Sequence, residues 1–179
     1  MSCLINEGYV LGCRDNVGGV KGIWISSFDG EATYADTTGE ITTVTPGTTN
    51  VVTYYKYEQL MEVPSFAQTG NFSLDNGTVF YEQTLALSLH KQNTELRNKL
   101  ILLSQAKLSV IIKDQNGNYW LVGKDNGLFA SAADLQTGKA FGDMNGVALT
   151  LQGKEAEPAI RIAVDTDAEL NTVAGFNIG

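Results

Sequence analysis

Apolar and polar residues alternate from Lys107 to Gly127, and this stretch carries the clearest structural signal in the chain. Leu108, Val110 and Ile112 occupy every second position, as expected for a β-strand with one buried face. Asn116-Gly117 follows, and a second alternating run comes after it. A two-residue hairpin turn needs positive φ at both central positions, which Asn and Gly tolerate. The stretch therefore predicts a β-hairpin with a two-residue turn at Asn116-Gly117.

Similar runs of β-branched and aromatic residues predict strands elsewhere in the chain. They are expected at 20–28, 51–57, 65–74, 78–89, 147–153 and 159–164. Asp75-Asn76-Gly77 separates two of these runs and predicts a second hairpin. In the first run the buried face is ambiguous, because Ile23, Trp24 and Ile25 compete for it.

One segment, at about 93–106, has the spacing of a helix. Asn93 or Thr94 can cap its start, and Glu95 falls in the first turn, where the helix dipole favours a negative charge. The apolar face is expected to contain Leu96, Leu100 and Leu103, widened by Ile101 and Leu102. The helix is therefore expected to lie against a sheet.

The composition changes between about 29 and 50, where Thr, Gly and Asp replace almost all large apolar residues. Such a segment cannot bury much surface by itself. The Thr-rich alternation at 40–45 still fits an extended ribbon. We predict a long projecting two-stranded arm, with a mobile loop as the alternative. The stretch 128–142 is expected to be a loop with a helical turn at 132–135.

These elements predict one domain, 1–179, with a mainly β fold. The expected class is an antiparallel β-sandwich with one flanking α-helix and a long projecting hairpin. The N-terminal segment, 1–16, has little periodic signal and is left as an arm or a docking segment. The C-terminal tail, about 165–179, is expected to be an edge or an arm.

Net charge and hydropathy exclude some functions. Twenty acidic against 12 basic residues give a net charge of −8. Lys and Arg supply affinity for phosphates, so a nucleic-acid-binding surface is not expected, although DNA can pass nearby. No apolar run approaches the roughly 20 residues that span a bilayer, and the start lacks the basic region of a signal peptide. We expect no membrane association.

Cysteine and histidine offer little chemistry. The spacing of Cys3 and Cys13 permits a disulfide, but two reduced thiols are expected, and they cannot make a zinc site alone. His90 is the single histidine. Only Ser88 and Asp75 are near it in sequence, and neither forms a known catalytic arrangement with it.

Carboxylates and aromatic residues give three further candidates. Asp114-Gln115-Asn116-Gly117-Asn118 resembles the start of a calcium loop but lacks the Gly and Glu that an EF-hand requires. Asp165, Asp167 and Glu169 place alternating carboxylates along an extended tail, where a solvated edge is favoured over a cation site. A platform for sugar binding would use the five aromatic residues Trp24, Tyr54, Tyr55, Tyr57 and Trp120, for which core packing is the commoner use. We therefore expect no catalytic, cofactor or metal residues.

The order of elements resembles the tail-tube family of tailed bacteriophages. The segments GYVLGCRDNVGGVKGIWISSF and KLSVIIKDQNGNYWLVGKDNGLFASAADLQTGKAFGDMNGVALTLQGKEAEPA are also similar to virion structural proteins of phages that infect marine and gut bacteria. The likeness covers most of 8–162 and consists of turn and strand signatures.

The resemblance implies a structural protein of the virion, made in the host cytoplasm. Such subunits form a homo-oligomeric ring, a hexamer or a multiple of six, as part of a tail tube, neck or short tail. DNA passes through the channel without specific binding, and other tail, neck or portal proteins are partners. The resemblance assigns contact with the next ring to the arm at 29–50 and much of the ring's sheet to 51–57 and 66–89.

Two other classes remain open. One is a carbohydrate- or receptor-binding β-sandwich of a phage fibre or adhesin, which would need an exposed platform of tyrosine and tryptophan. The other is an enzyme, which would need His90 beside a hydroxyl or a carboxylate in a pocket.

Overall fold

A computed structural model describes residues 8–9, 12–47, 53–171, 173 and 177–179. Within these residues the chain forms two β-sheets, one α-helix and one 3₁₀ turn. The strands are β1 (Val20–Ser27), β2 (Thr33–Thr37), β3 (Glu40–Thr45), β4 (Thr53–Tyr57), β5 (Ser65–Ser73), β6 (Thr78–His90), β7 (Leu108–Asp114), β8 (Tyr119–Val122), β9 (Phe129–Gln136), β10 (Gly146–Glu155), β11 (Ile160–Ile162) and β12 (Asn177–Ile178). The helix is α1 (Thr94–Gln105), and the 3₁₀ turn spans Glu169–Asn171.

The larger sheet has the strand order β12-β4-β1-β7-β8-β11-β3-β2, and the smaller has the order β5-β6-β10-β9. Every ladder of the smaller sheet is antiparallel. In the larger sheet, β3 with β11 and β4 with β12 pair in parallel. The expected class, a mainly β sandwich with one helix, is confirmed.

The larger sheet is buried on both faces. Ile23 and Ile25 point into an apolar cluster shared with the smaller sheet and α1. Trp24, between them, points to the opposite face and a second cluster, which also contains Ile111 and Leu121. The buried face of the first strand was ambiguous in the sequence because both of its faces are buried. Each face packs against a different core, so apolar residues occupy consecutive positions.

The hairpin of β7 and β8 is confirmed, but its turn differs from the prediction. Asp114 N–H donates to the carbonyl of Asn118 at 2.9 Å, so the loop has three residues, not two. Gly117 has a φ of 91°, whereas Asn116 is outside the positive-φ region. This is a turn closed by a left-handed glycine, which needs only one residue of positive φ.

The helix starts where the sequence predicts. Asn93 is its N-cap, and its side chain accepts a hydrogen bond from Leu96 N–H at 2.7 Å. Leu100 and Leu103 are buried against the sheets. The expected widening of the apolar face is wrong, because Leu102 is 68% exposed. One stripe of the helix is enough to cover the core at this point.

The segment at 29–50 is a hairpin, as predicted, but it does not project from the fold. Its second strand, β3, pairs with β11, and Ile41 and Val44 are buried in the second cluster. Two well-placed apolar residues in a Thr-rich ribbon are sufficient to attach it to the sheet. Residues 48–50 lie outside the described part of the chain.

Two predictions for the C-terminal half also need correction. The stretch 129–136 is the strand β9, which pairs with β10, and not a loop with a helical turn. Its alanines gave no strand signal, so the pairing partner decides its conformation. The tail does include the edge strand β12, but Leu170 and Val173 are buried and close the second cluster.

The hairpin of β5 and β6 is confirmed, and its end extends beyond the rest of its sheet. The neighbouring strand β10 stops at the pair between Glu155 and Tyr81. β5 continues to pair with β6 as far as Ser73 and Thr78. Residues 71–80 therefore form a two-stranded tip, and this is the projecting element of the described structure.

Candidate functional site

His90 lies at the exposed end of β6, where its backbone pairs with Gly146. Asp75 precedes the opposite end of this 13-residue strand, which places it roughly 40 Å away. Ser88 is two positions along the same strand, about 7 Å distant. The three residues do not converge on one point.

The Asp114 carboxylate stabilises the β7–β8 turn. It accepts hydrogen bonds from Asn118 N–H at 2.8 Å, from Asn118 Nδ2 at 3.0 Å and from Trp120 Nε1 at 3.2 Å. Partial burial opposes ionisation, but these donors outweigh it and lower the pKa of Asp114. Turn geometry accounts for the calcium-like sequence. Over the described ranges, no group of three or more His, Cys, Asp or Glu side chains could hold a metal ion.

Glu155 was missed by sequence reasoning, because it lies beyond the predicted strand 147–153. The residue is only 3% exposed. Its carboxylate accepts from Asn126 N–H at 2.8 Å and from Asp125 N–H at 3.3 Å. Burial raises the pKa of Glu155 above its ordinary value. The carboxylate stabilises the turn at Asp125-Asn126-Gly127, which is a structural role.

The three tail carboxylates do not lie along one extended edge. Asp165 is 3.5 Å from Arg161, and Glu169 accepts a hydrogen bond from Asp165 N–H at 2.8 Å. Asp167 instead contacts Lys113 Nζ at 2.8 Å. Each carboxylate has a different partner, so the arrangement is neither the expected acidic edge nor a shared cation site.

Asp167 attaches the tail to the larger sheet. Besides Lys113, it accepts hydrogen bonds from Tyr119 Oη and from Lys56 Nζ, the latter at 3.4 Å. Burial acts against ionisation, but the hydrogen bonds from Lys113 and Tyr119 prevail and lower the pKa of Asp167 to about 2. These contacts of Asp167 with Lys113, Tyr119 and Lys56 hold the C-terminal tail against the larger sheet.

The five aromatic residues do not form an exposed platform. Trp24 is 1% and Tyr54 is 4% exposed, and both belong to the second core cluster. Burial raises the pKa of Tyr54 to about 12, and its hydroxyl is 3.0 Å from Ser109 Oγ. Trp120 packs against the first cluster, whereas Tyr55 is 59% exposed. Cys13 is exposed, and Cys3 lies outside the described residues.

The edges of the smaller sheet are a more prominent feature. β5 and β9 are its outer strands, and no further strand of the described chain pairs with either. β5 has nine residues without a charge or a proline, and the eight residues of β9 include one charge, Asp134. Proteins usually protect long edges with charges, prolines or bulges, because a free edge accepts another strand. β5 has no such device, whereas the β9 ladder has a register shift between Ala130 and Ala132 and α1 lies beside this strand. Both outer edges are candidate assembly surfaces, and β5 is the less protected of the two.

The outer face of this sheet is covered by small side chains. Pairing places Ala67, Thr84 and Gln152 in one row, and Ala86, Thr150 and Ala132 in the next. Leu85 and Leu87 point to the opposite, buried face, as the alternation predicts. The outer face has two carboxylates, Glu82 and Asp134, against one ammonium, Lys154. Apart from Phe80 and Phe129, it is mostly polar, and it is slightly acidic.

Comparisons with known proteins give no assignment. No protein-family model matches the chain, and no curated protein is significantly similar to it. No helix in the described ranges is long and apolar enough to cross a membrane. The sheet edges and the projecting tip are therefore the observations from which a function can be argued.

The projecting tip carries exposed apolar side chains. Phe72 is 71%, Leu74 is 100% and Val79 is 54% exposed. Phe72 and Val79 are paired across the hairpin, on the face that is buried further along β6. The apolar face of the sandwich thus continues beyond the core. These exposed apolar side chains make the tip a candidate interaction site.

Proposed function

We propose that the protein is a non-enzymatic structural subunit of a phage virion, which assembles with copies of itself into a ring or a tube around a DNA channel. The edge of the four-stranded sheet at β5, nine residues without a charge, a proline or a bulge, is the observation that carries this proposal. The opposite edge, β9, is more protected, because it has a register shift and lies beside α1. The likeness of the element order to tail-tube subunits supplies the biological setting.

The direction of the strands favours head-to-tail assembly. Three successive antiparallel ladders make β5 and β9 run in opposite directions. The β5 edge of one copy can therefore continue the antiparallel ladder at the β9 edge of a neighbour in the same orientation. A contact between two different surfaces generates a ring if the rotation closes, and a filament if it does not.

The outer face of the same sheet suits the lining of a channel. Its two carboxylates against one ammonium, within a chain of net charge −8, offer no cluster of cations for the phosphates of DNA. Like charges repel DNA rather than retain it. This supports passage without specific binding.

The resemblance assigned the contact with a further ring to 29–50. The tip at 71–80 is a better candidate for this contact, because it extends beyond its sheet. The first hairpin is joined to β11, whereas the tip pairs only within itself. A hexamer or a multiple of it, and neck, tail or portal proteins as neighbours in the virion, remain part of the proposal from the resemblance.

A test is negative-stain microscopy with light scattering on the purified protein. Wild type should form annular particles. Adding a lysine to each free edge, with Thr69→Lys on β5 and Ala132→Lys on β9, should abolish them, because an edge lysine blocks strand addition. Asn98→Lys, on the exposed side of α1, is the matched control and should assemble normally.

Persistent wild-type monomers at high concentration would contradict the proposal, as would edge variants that assemble as well as wild type. The carbohydrate-binding alternative receives no support from the geometry, because Trp24 and Tyr54 are buried. Titration with a panel of glycans, followed by tryptophan fluorescence, would reveal such binding.

A further inference from the structure

Asparagine followed by glycine occurs four times in the chain, at 76–77, 116–117, 126–127 and 145–146. The side-chain amide of such an asparagine can be lost spontaneously, because glycine has no Cβ to hinder attack by its backbone nitrogen. The reaction also needs a glycine N–H that is free and an asparagine side chain that can turn towards it. The four pairs share one reactive dipeptide, so their surroundings in the fold decide which of them reacts.

Ring closure and ring opening involve only these two residues and water. The glycine nitrogen attacks Cγ of the asparagine, the bond between Cγ and Nδ2 breaks, and the proton of the glycine nitrogen leaves with Nδ2 as ammonia. A five-membered succinimide ring remains. Water then opens the ring at one of its two carbonyls, which gives aspartate or isoaspartate, and nothing is oxidised or reduced. The outcome is one additional negative charge.

The pair at 116–117 is held by the N-terminal segment. Asn116 Oδ1 accepts a hydrogen bond from Val17 N–H at 2.9 Å, and Asn116 Nδ2 donates to Asn16 Oδ1 at 2.6 Å. Gly117 N–H is itself engaged, because it donates to the carbonyl of Asp114 at 3.2 Å. Both reacting groups therefore have partners in the folded protein.

The pair at 126–127 is held by the end of β10. Asn126 Nδ2 donates to the carbonyl of Lys154 at 3.0 Å, and Asn126 N–H donates to the Glu155 carboxylate at 2.8 Å. Gly127 is buried. The side chain of Asn126 is therefore tied to a neighbouring strand, and its glycine lies away from water.

The pair at 145–146 lies at the start of β10. Gly146 is buried and pairs with His90 on one side and with Gln136 on the other. Asn145 Oδ1 accepts a hydrogen bond from Gln92 N–H at 3.4 Å, and Gln92 Nε2 donates to the Gly146 carbonyl at 3.1 Å. The Gly146 backbone is therefore fixed between two strands.

The pair at 76–77 has neither restraint. It lies at the end of the tip, beyond the last ladder pair, Ser73 with Thr78, and both of its residues are exposed. Among the described residues, none hydrogen-bonds to the Asn76 side chain, and the backbone N–H of Asn76 donates to Ser73 Oγ at 3.3 Å. Gly77 has a φ of 63°, and no atom outside its chain neighbours lies within 4 Å of the place where a Cβ would stand. The amide can turn, and the ring has room to close.

We propose that Asn76 is a site of spontaneous deamidation in the folded protein, and that the fold protects the other three Asn-Gly pairs. Reaction at a protected pair requires a local opening that breaks its hydrogen bonds, so its rate falls with the population of the opened state. At the tip no opening is needed. The product places a second carboxylate beside Asp75 and the exposed Leu74, on a candidate interaction surface. The inference does not depend on the proposed assembly.

Peptide mapping by mass spectrometry tests this inference, because trypsin releases each of the four pairs in a separate peptide. The lysines at which cleavage separates them are Lys56, Lys91, Lys113, Lys124, Lys139 and Lys154. Folded protein, and the same chain unfolded in guanidinium chloride, are incubated side by side at mildly alkaline pH. The deamidated fraction of each peptide is then followed over time, with digestion at mildly acidic pH to limit further conversion.

Comparison of the two incubations removes the effect of local sequence. For each pair, the rate in the unfolded chain is the reference for the rate in the folded protein. Asn76 should react in the folded protein within about threefold of its reference, whereas the other three pairs should be slowed about tenfold or more. The inference is overturned if Asn76 is slowed as strongly as the others, or if any other pair converts faster than Asn76 in the folded protein.

Two variants locate the charge change in the intact chain. Asn76→Gln has one more methylene, so its amide would have to close a six-membered ring, which forms far more slowly. Isoelectric focusing after incubation should show an acidic species for wild type and none for Asn76→Gln, whereas Asn116→Gln should behave like wild type. Asn76 is exposed, so Asn76→Gln should keep the native fold, which circular dichroism checks. An acidic species that persists in Asn76→Gln and is absent from Asn116→Gln would assign the reaction to the β7–β8 turn instead.

Discussion

The two sheets of this protein use their surfaces differently. The larger sheet is buried on both faces, and its edge strands, β2 and β12, have only five and two residues. The smaller sheet is buried on one face only, and its edge strands, β5 and β9, have nine and eight residues, with α1 beside β9. One sheet therefore has most of its apolar surface buried within the chain, whereas the other has longer edges and an exposed apolar tip.

This difference predicts where substitutions will act. Changes at the buried positions of the larger sheet should alter folding stability, because these side chains lose packed contacts when they are truncated. Changes at the edges and tip of the smaller sheet should alter association and leave the free energy of unfolding almost unchanged. The predictions below test this division, starting with the largest expected effect.

Trp24→Ala should have the largest effect. Trp24 is 1% exposed and packs against Tyr119 in the second cluster, with ring centroids 5.9 Å apart. Truncating a buried aromatic side chain typically costs about 3–5 kcal/mol. Urea denaturation measures this loss. Phe72→Ala at the exposed tip is the counterpart and should change stability by less than about 0.5 kcal/mol. Equal losses would remove the distinction between the two sheets.

Ile41→Ala tests whether the Thr-rich hairpin belongs to the larger sheet. Ile41 is fully buried, next to the pairing of β3 with β11. The expected loss is about 2–5 kcal/mol by thermal or urea unfolding. Thr42→Ala, at the exposed neighbouring position, should be nearly neutral. Deletion of 31–49 should therefore prevent normal folding, contrary to the expectation for a free arm. A stable deletion variant would show that the hairpin is dispensable.

Leu100→Ala and Leu102→Ala separate the two sides of α1. Leu100 is 9% exposed and packs on the core, so its truncation should cost about 2–3 kcal/mol, at the lower end of the usual range. Leu102 is 68% exposed, and its truncation should leave the unfolding midpoint almost unchanged. A large loss of stability with Leu102→Ala would mean that this side is a core surface.

Asp167→Asn should have a smaller, pH-dependent effect. The pKa of Asp167 is lowered from 3.8 to about 2, so the folded state favours the ionised carboxylate. The stabilisation is therefore fully present above about pH 4 and is lost as the pH falls towards 2. Because the side chain is 46% exposed, solvent screening limits the loss at neutral pH to about 1 kcal/mol.

Unfolding curves of wild type and Asp167→Asn at several pH values measure this effect. The difference in stability should shrink as the pH falls towards 2 and disappear below it, where the carboxylate of the wild type is itself protonated in the folded state. The control is Asp125→Asn, which removes a surface carboxylate 4.0 Å from Lys124 Nζ and should change the free energy of unfolding at neutral pH by less than about 0.5 kcal/mol. If the stability difference between wild type and Asp167→Asn stays constant across this pH range, the ion pairs of the Asp167 carboxylate are not its cause.

Local patterns gave a sound account of the individual elements. The spacing of Leu100 and Leu103, with a cap at Asn93, was sufficient to place the helix, since capping and periodicity act within a few residues. Strand alternation and turn residues located the β5–β6 hairpin in the same way. The strand β9 was missed because its alanines have no strand preference, and only the ladder with β10 orders them.

The candidate surfaces were harder to predict. We predicted that 29–50 projects from the fold because the segment contains few apolar residues. It does not project, because β3 pairs with β11, which lies more than a hundred residues later in the chain. In the same way, the tip at 71–80 is exposed because β10 ends early, which nothing within the hairpin reveals. Glu155 is buried because a turn 29 residues earlier in the chain donates to it.

The amino-acid pattern was sufficient for the mainly β class, the positions of the β5–β6 and β7–β8 hairpins, and the helix with its cap. These features follow from interactions between residues near one another in the chain. The division of the strands between two cores, the exposure of the sheet edges and the extension of the tip at 71–80 became known only from the fold. Those outcomes depend on pairings between distant strands, where the burial of a residue is set by a partner that local periodicity does not specify.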